Sequence, residues 1–107
     1  MILFDLILLI LSLKSLALGD KTGDTALHYA AIGGHSEPIL SLVNKGADVN
    51  SVNNNRRTAL HIAVMNRNID IVGSLVKVGA DVNVPDNNGD TPFQLAVIQE
   101  SFSTFNK

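Results

Sequence analysis

The chain has 107 residues, of which 46% are hydrophobic and 17% are charged. This composition excludes a disordered polar chain, and the length suits one ordinary domain. A net charge of -2 argues against a generally basic nucleic-acid-binding protein, and the absence of cysteine excludes disulfides and thiolate sites. With no tryptophan and five aromatic residues, the core must be aliphatic, which favours a thin, layered architecture.

The first nineteen residues have two interpretations. The run Leu6–Leu11 is apolar, and Ala17–Gly19 is typical of a signal-peptide cleavage site, although no Lys or Arg precedes the run. Alternatively, a 33-residue period found later in the chain places residues 6–10 opposite Ile39–Val43. That period predicts the second helix of a degenerate leading repeat. The half-repeat is the preferred interpretation, and a signal or anchor segment is the alternative.

An internal repeat organises the rest of the chain. Thr25–His28 recurs 33 residues later at Thr58–His61 and again, as Thr-Pro-Phe-Gln, at Thr91–Gln94. Gly46–Asn50 recurs with the same period at Gly79–Asn83. Two blocks that keep one period without a gap predict a tandem repeat. The predicted units are residues 20–52, residues 53–85 and a partial third unit at residues 86–107.

Each unit is predicted to contain two short helices and an extended loop. Thr25 starts the first helix as its N-cap residue, and Gly33-Gly34 ends it. Pro38 lies in the first turn of the second helix, where a missing N–H is tolerated, and Gly46 ends that helix. A helix pair of this kind cannot bury its apolar face alone, so neighbouring units are expected to stack.

The third unit is predicted to begin a second helix, because Phe102 and Phe105 fall at the positions of Ile69 and Val72. Two interpretations stay open for the polar residues between them. They belong either to a terminal cap with a polar outer face or to a truncated sequence.

The stretches TALHYAAIGGH, TALHIAVMNRN and TPFQLAVIQES begin at Thr25, Thr58 and Thr91. On these residues the sequence resembles the ankyrin repeat family, whose signature is T-P-L-H-x-A in a unit of about 33 residues. The resemblance implies an all-α fold, a solenoid of stacked helix-turn-helix units joined by extended, hairpin-like loops. The sequence departs from the family pattern at Arg56, which replaces a glycine, and the Gly-His turn survives only at Gly34-His35.

Histidines and aspartates at repeated positions are the candidates for chemistry. His28 and His61 lie one unit apart, roughly 10 Å, and Gln94 takes the third position, so a shared metal ion is not expected. The resemblance implies that these histidines hydrogen-bond to the motif threonine and the loop backbone. Asp48 and Asp81 are expected to accept backbone N–H groups of their own turns. With no nucleophile elbow and no phosphate-binding loop, we predict no enzyme, no cofactor and no metal site.

The resemblance implies a non-catalytic protein–protein interaction module, a scaffold or adaptor. In the family, contact residues lie at the loop tips and on the exposed side of the first helix. The predicted partner-binding residues are Lys21, Thr22, Asp24, Ile32, Asn54, Asn55, Arg57, Met65, Asn66, Asn87, Asn88, Asp90, Ile98 and Gln99.

Two features of this predicted surface depend on side-chain placement. Ile32, Met65 and Ile98 form an apolar ridge if they are exposed, and belong to the packing between units if they are buried. Arg57 is expected to contact an acidic partner, with Asp24 and Asp90 one unit away on each side to hold its guanidinium.

The predicted partner is a protein, with no nucleic acid and no small-molecule substrate, and the predicted location is cytoplasmic. Two other functions stay open. The chain is a secreted or membrane-tethered ankyrin-repeat effector if residues 1–19 are an export or anchor segment. It is alternatively a targeting fragment of a larger enzyme or scaffold chain.

Overall fold

The structure is a computed structural model that describes the backbone of residues 22–105 and the side chains of residues 22–100. Within these residues the fold is all-α, with no strand. The helices are α1 Ala26–Gly33, α2 Glu37–Asn44, α3 Ala59–Met65, α4 Ile69–Lys77 and α5 Pro92–Phe105. The two interpretations of residues 1–19 and the predicted contact Lys21 lie outside the described residues.

Polar side chains fix where the helices begin, as the repeat motif predicts. Thr58 Oγ1 accepts the backbone N–H of His61 at 3.3 Å, and Thr91 Oγ1 accepts that of Gln94 at 3.1 Å. These N–H groups have no partner inside the helix, so each bond stabilises a helix start. Gly34 ends α1 with a φ of +72°, a left-handed conformation that glycine adopts at low cost.

The first helices of the units stack in one row and the second helices in another. Helix α3 packs against both α1 and α5, and α2 packs against α4. Ala30 and Ala63 occupy equivalent positions and are fully buried, so the first helices approach closely. Leu27 and Leu60 are buried beside them. The apolar core therefore runs along the stack, as in other repeat arrays.

Backbone hydrogen bonds give the loops their hairpin-like form and join each loop to the next. Asn53 N–H donates to the carbonyl of Arg57 at 3.0 Å, which closes the second unit's loop. Asn54 N–H donates to the carbonyl of Thr22 at 2.9 Å, and Asn87 N–H to that of Asn55 at 3.0 Å. The loops are therefore joined to one another along the stack by backbone hydrogen bonds.

The aspartates at the ends of the second helices serve their own turns. Asp48 Oδ1 accepts the backbone N–H of Asn50 at 2.9 Å, and Asp81 Oδ1 accepts that of Asn83 at 2.9 Å. The predicted role of both aspartates in loop geometry is confirmed.

The third unit differs from the prediction because α5 runs unbroken from Pro92 to Phe105. In the first two units the equivalent turn contains Gly34 or Arg67, each with a positive φ. The third unit has Glu100 at this position, and α5 continues through it. The expected second helix around Phe102 and Phe105 is therefore wrong, and the side chains of these two residues lie outside the described part.

Candidate protein-interaction surface

Each motif histidine ties its own helix to the loop of the following unit. Nδ1 of His28 accepts the backbone N–H of Thr25 at 3.0 Å, and its Nε2 donates to the carbonyl of Arg57 at 2.7 Å. His61 makes the same two bonds one unit later, each at 2.9 Å. A backbone N–H only donates, so the ring proton lies on Nε2 and both nitrogens are used. The structural hydrogen bonds that the resemblance implied are present.

Burial controls the charge of His28. The ring is fully buried, and this burial lowers the pKa of His28 below its ordinary value, although the bond to Arg57 and the nearby Asp24 oppose the shift. The neutral ring is favoured, as its accepting Nδ1 requires. Gln94 takes this position in the third unit, where its Oε1 accepts the backbone N–H of Thr91 at 3.0 Å.

We call the contact between two neighbouring units a joint. A polar side-chain pair connects the loops at each of the two joints. At the first joint, Asn53 Nδ2 donates to Asp24 Oδ1 at 2.9 Å. At the second joint, Arg57 Nε donates to Asp86 Oδ2 at 3.3 Å. Asp24 and Arg57 occupy equivalent positions, and so do Asn53 and Asp86. The two joints therefore pair equivalent positions. The carboxylate comes from the earlier unit at the first joint and from the later unit at the second joint.

Asp86 is a buried acid of the third unit's loop. Its side chain is 1% exposed, and its Oδ1 accepts the backbone N–H groups of Asn88 and Asp90 at 2.9 Å each. Burial raises the pKa of Asp86, but the two N–H groups and the Arg57 guanidinium outweigh burial and lower it below the ordinary value. Asp86 is therefore a carboxylate that holds its own loop closed.

Two of the predicted contact residues take part in the joints. Asp24 is only 8% exposed, and its carboxylate also accepts a bond from Thr22 Oγ1 at 2.9 Å. It does not lie at an exposed loop tip as predicted. Arg57 pairs with Asp86, so the expectation that Asp24 and Asp90 hold its guanidinium is wrong. The true partner lies 29 residues from Arg57, a spacing that differs from the repeat period and so escaped the comparison of units.

The apolar ridge, defined as Ile32, Met65 and Ile98, is exposed. The three side chains expose 52%, 41% and 55% of their surface. They occupy the same position in α1, α3 and α5, so the stacked helices hold them one unit apart. Their exposure excludes the alternative in which they belong to the packing between units.

The other predicted contacts lie mostly at the surface. Exposed side chains are those of Thr22, Asn54, Asn55, Asn66, Asn87 and Asn88, while Asp90 and Gln99 are half-buried. The loop-tip amides also support their neighbours, since Asn87 Nδ2 donates to the carbonyl of Asn54 at 3.2 Å.

The predicted contact residues do not include two exposed arginines of the second unit. Arg56 and Arg67 have φ values of +58° and +56°, where the first unit has Gly23 and Gly34. Within the described part of the chain, neither side chain makes a hydrogen bond or an ion pair. The sequence signal was the replacement of a repeated glycine by arginine. A side chain held on left-handed backbone points to a role for that side chain.

A cavity of about 310 Å³ lies between the turn joining α3 to α4 and the facing side of α5. Its lining consists of Val64, Arg67, Ile69, Val72, Ala96, Gln99 and Glu100. Four of these side chains are apolar, and one basic and one acidic residue lie among the others. Across residues 22–100, no group of three or more His, Asp or Glu side chains is arranged to hold a metal ion.

Comparison with known proteins agrees with the repeat geometry. A family model described as ankyrin repeats, in three copies, matches residues 3–86 and 39–106. The chain belongs to the ankyrin repeat family. Ankyrin repeats generally act as protein–protein interaction modules and are typically non-catalytic. A search of curated proteins found no match. Among the helices described, none of this ankyrin-repeat chain is long and apolar enough to cross a membrane.

Proposed function

We propose that this chain is a scaffold or adaptor that binds a protein partner through the apolar ridge. The observation that carries the proposal is an exposed apolar side chain at the same position of all three first helices. Single exposed apolar residues are common on protein surfaces, but three in a row, spaced by roughly 10 Å, fit an extended apolar partner segment. The rigid stack holds the ridge in place before binding, which lowers the entropy lost on association.

The exposed loop tips are the polar rim of the proposed site. Protein interfaces combine an apolar centre with a polar surround that supplies hydrogen bonds. Asn54, Asn55, Asn87 and Asn88 present amides in the loops that join the units. Asp24 and Arg57 are not part of the proposed site, because their side chains hold the joints.

A variant of the ridge tests the proposal. The triple substitution Ile32→Ser, Met65→Ser and Ile98→Ser removes the apolar row while leaving the buried core intact. Partners captured from cell extract with the tagged wild type are compared quantitatively with those captured by the variant. We expect loss of a defined partner by tenfold or more, with the folding midpoint nearly unchanged.

A matched control removes apolar surface elsewhere. Leu40 and Val76 expose 46% and 50% of their surface on the second helices, so Leu40→Ser with Val76→Ser reports on apolar loss away from the ridge. Capture should survive in this control. Equal capture by the ridge variant and the wild type would contradict the proposed function.

For residues 1–19 we propose the degenerate half-repeat and, with it, a cytoplasmic chain that has no membrane contact. The family match supports this proposal because it begins at residue 3. The competing effector function requires cleavage or anchoring of the same segment. Expression with a C-terminal tag, followed by N-terminal sequencing of the purified chain, distinguishes the two. A chain that begins near Asp20 would contradict the half-repeat.

A further inference from the structure

The turn between α3 and α4 differs from the equivalent turn of the first unit. A Cβ atom on Gly34 would lie 3.1 Å from Nδ2 of Asn68, so the next unit's second helix begins close against that turn. The equivalent residue Arg67 carries a full side chain. The counterpart of Asn68 in the third unit is Ser101, whose backbone lies inside the continuous helix α5. The turn of the first joint therefore faces the start of a helix, whereas the turn of the second joint faces the middle of α5.

Arg67 occupies this turn at a conformational cost. Its φ of +56° is one that glycine adopts more readily, and the first unit has Gly34 there. Arg67 is exposed, and its side chain has no hydrogen bond or ion pair among the described residues. Arg67 can therefore pair with a group outside its own fold, and, unlike Arg56, it lies beside a largely apolar cavity.

The walls of the cavity beside Arg67 are mostly apolar. Ile69 exposes 83% of its surface, at a position where the first unit has the polar Ser36. Val72 is half-buried, whereas its counterpart Ile39 is fully buried. The second unit thus presents apolar surface at this joint beyond what its own packing uses.

The cavity has a basic residue on one side and an acidic residue on the other. Arg67 lies on the side of the α3–α4 turn and Glu100 on the side of α5. An acidic group bound beside Arg67 gains a charge-assisted hydrogen bond, while the same group beside Glu100 is repelled. An occupant that has a carboxylate therefore places it at the Arg67 side.

We propose that this cavity binds a segment of a protein partner in which a large apolar side chain lies next to an aspartate or glutamate. The apolar side chain contacts Ile69 and Val72, and the carboxylate pairs with Arg67. This proposal rests on the proposed interaction function and adds a second contact site, distinct from the apolar ridge. A volume of about 310 Å³ accommodates an apolar side chain and lies at the lower end of ligand pockets generally.

Selected peptides test the cavity. A displayed library of random 12-residue peptides is selected on the full chain, and the enriched peptides are synthesised and titrated. We expect enrichment of Leu, Phe or Trp beside Asp or Glu, with affinity that falls as salt is raised. Arg67→Gly should weaken these peptides tenfold or more, while the folding midpoint stays equal or rises because glycine relieves the left-handed backbone.

Two variants complete the design. Ile69→Ser installs the first unit's residue at an exposed position, so it should weaken the peptides tenfold or more without changing the folding midpoint. Arg56→Gly is the matched control, because it removes the same side chain and the same strain at the other end of α3. It should leave the affinity within about twofold.

The outcomes separate this proposal from the proposed function. Peptides that lose affinity in the ridge variant but bind Arg67→Gly and Ile69→Ser like the wild type would overturn the cavity and leave the ridge intact. Failure to select any peptide dependent on Arg67 would also overturn the cavity, whereas capture through the ridge is tested by its own variant.

Discussion

At the residue scale, the neutral ring of His28 couples folding to pH. Burial lowers the pKa of His28, so protons bind more readily to the unfolded chain, where a histidine has a pKa of about 6.5. The stability contributed by the neutral ring is complete above about pH 6.5 and is lost as the pH falls through the folded pKa. We expect His28→Gln to flatten the change of the urea midpoint between about pH 7.5 and about pH 5.5, because glutamine does not titrate.

The same variant also measures the bond to the next loop. Gln94 shows that glutamine keeps the local bond to the motif threonine. We expect the bond from His28 Nε2 to the carbonyl of Arg57 to be lost, at a cost of about 1 kcal/mol in the free energy of unfolding at neutral pH. Identical dependence of the midpoint on pH in the variant and the wild type would assign the acid sensitivity to other groups.

Arg57 is expected to contribute to folding through its pair with Asp86. Arg57→Ala leaves the buried carboxylate without its cation, although the two backbone N–H bonds stay. Because the Arg57 side chain is 26% exposed, water screens part of the pair, and we expect destabilisation of about 1–2 kcal/mol. Denaturant titration measures it. Arg56→Ala is the control, since the side chain of Arg56 lies next to Arg57 in the sequence and has no bond within the described chain. A similar loss of stability in Arg56→Ala would contradict the pairing.

At the element scale, the side-chain pairs at the joints distinguish one joint from the other. Asn53 uses its Oδ1 to accept the backbone N–H groups of Asn55 and Arg57, as Asp86 does in the next loop. An aspartate would therefore keep the loop closed at either position. What differs is the residue across the joint, an acid at Asp24 and a base at Arg57. The two joints therefore differ in the charge of the residue that faces the loop.

Exchanging the charges at the first joint tests whether this side-chain contact contributes to stability. Asn53→Asp places two carboxylates together at the first joint, so we expect it to lower the free energy of unfolding by about 1–2 kcal/mol. Adding Asp24→Arg rebuilds the arginine–aspartate pair of the second joint and should recover part of the loss. The coupling between the two substitutions, from a double-mutant cycle of denaturant titrations, is expected to lie within about 0.5–3 kcal/mol. Additive effects would show that the loops do not depend on this contact.

How far the sequence predicts each element depends on whether the repeat shares it. Helix starts at threonine, the buried leucines and the turn aspartates recur every 33 residues, and each contact is found where the period places it. The pairing of Arg57 with Asp86 and the burial of Asp24 depend on the residues of one joint, so the common pattern did not contain them.

The cavity escaped prediction for a related reason. It depends on α5 continuing through Glu100, and the alignment of units placed a turn there. A missing glycine does not predict this continuation, because Arg67 also replaces the glycine of that turn and still takes a positive φ. The continuation of α5 was therefore not readable from this position. Its consequence, an open space beside Arg67, required the packing of α4 against neighbouring helices to be known.

At the scale of the whole molecule, stability depends on contacts between neighbouring units. Leu27, Leu60 and Phe93 occupy equivalent positions in the three first helices. Leu27 and Leu60 are each 2% exposed, whereas Phe93 is 60% exposed. The same position therefore contributes to the core in the first two units and contributes little in the third.

This difference gives a prediction for the stack as a unit. Leu60→Ala removes a buried side chain from α3, which packs against α1 and α5, and should cost about 2–5 kcal/mol, enough to unfold a short array. Phe93→Ala removes more atoms but mostly exposed ones, so we expect a change within about 0.5 kcal/mol. Urea titrations of both variants against the wild type measure the contrast. Equal losses would mean that Phe93 is covered in solution, and an unchanged midpoint for Leu60→Ala would remove Leu60 from the core.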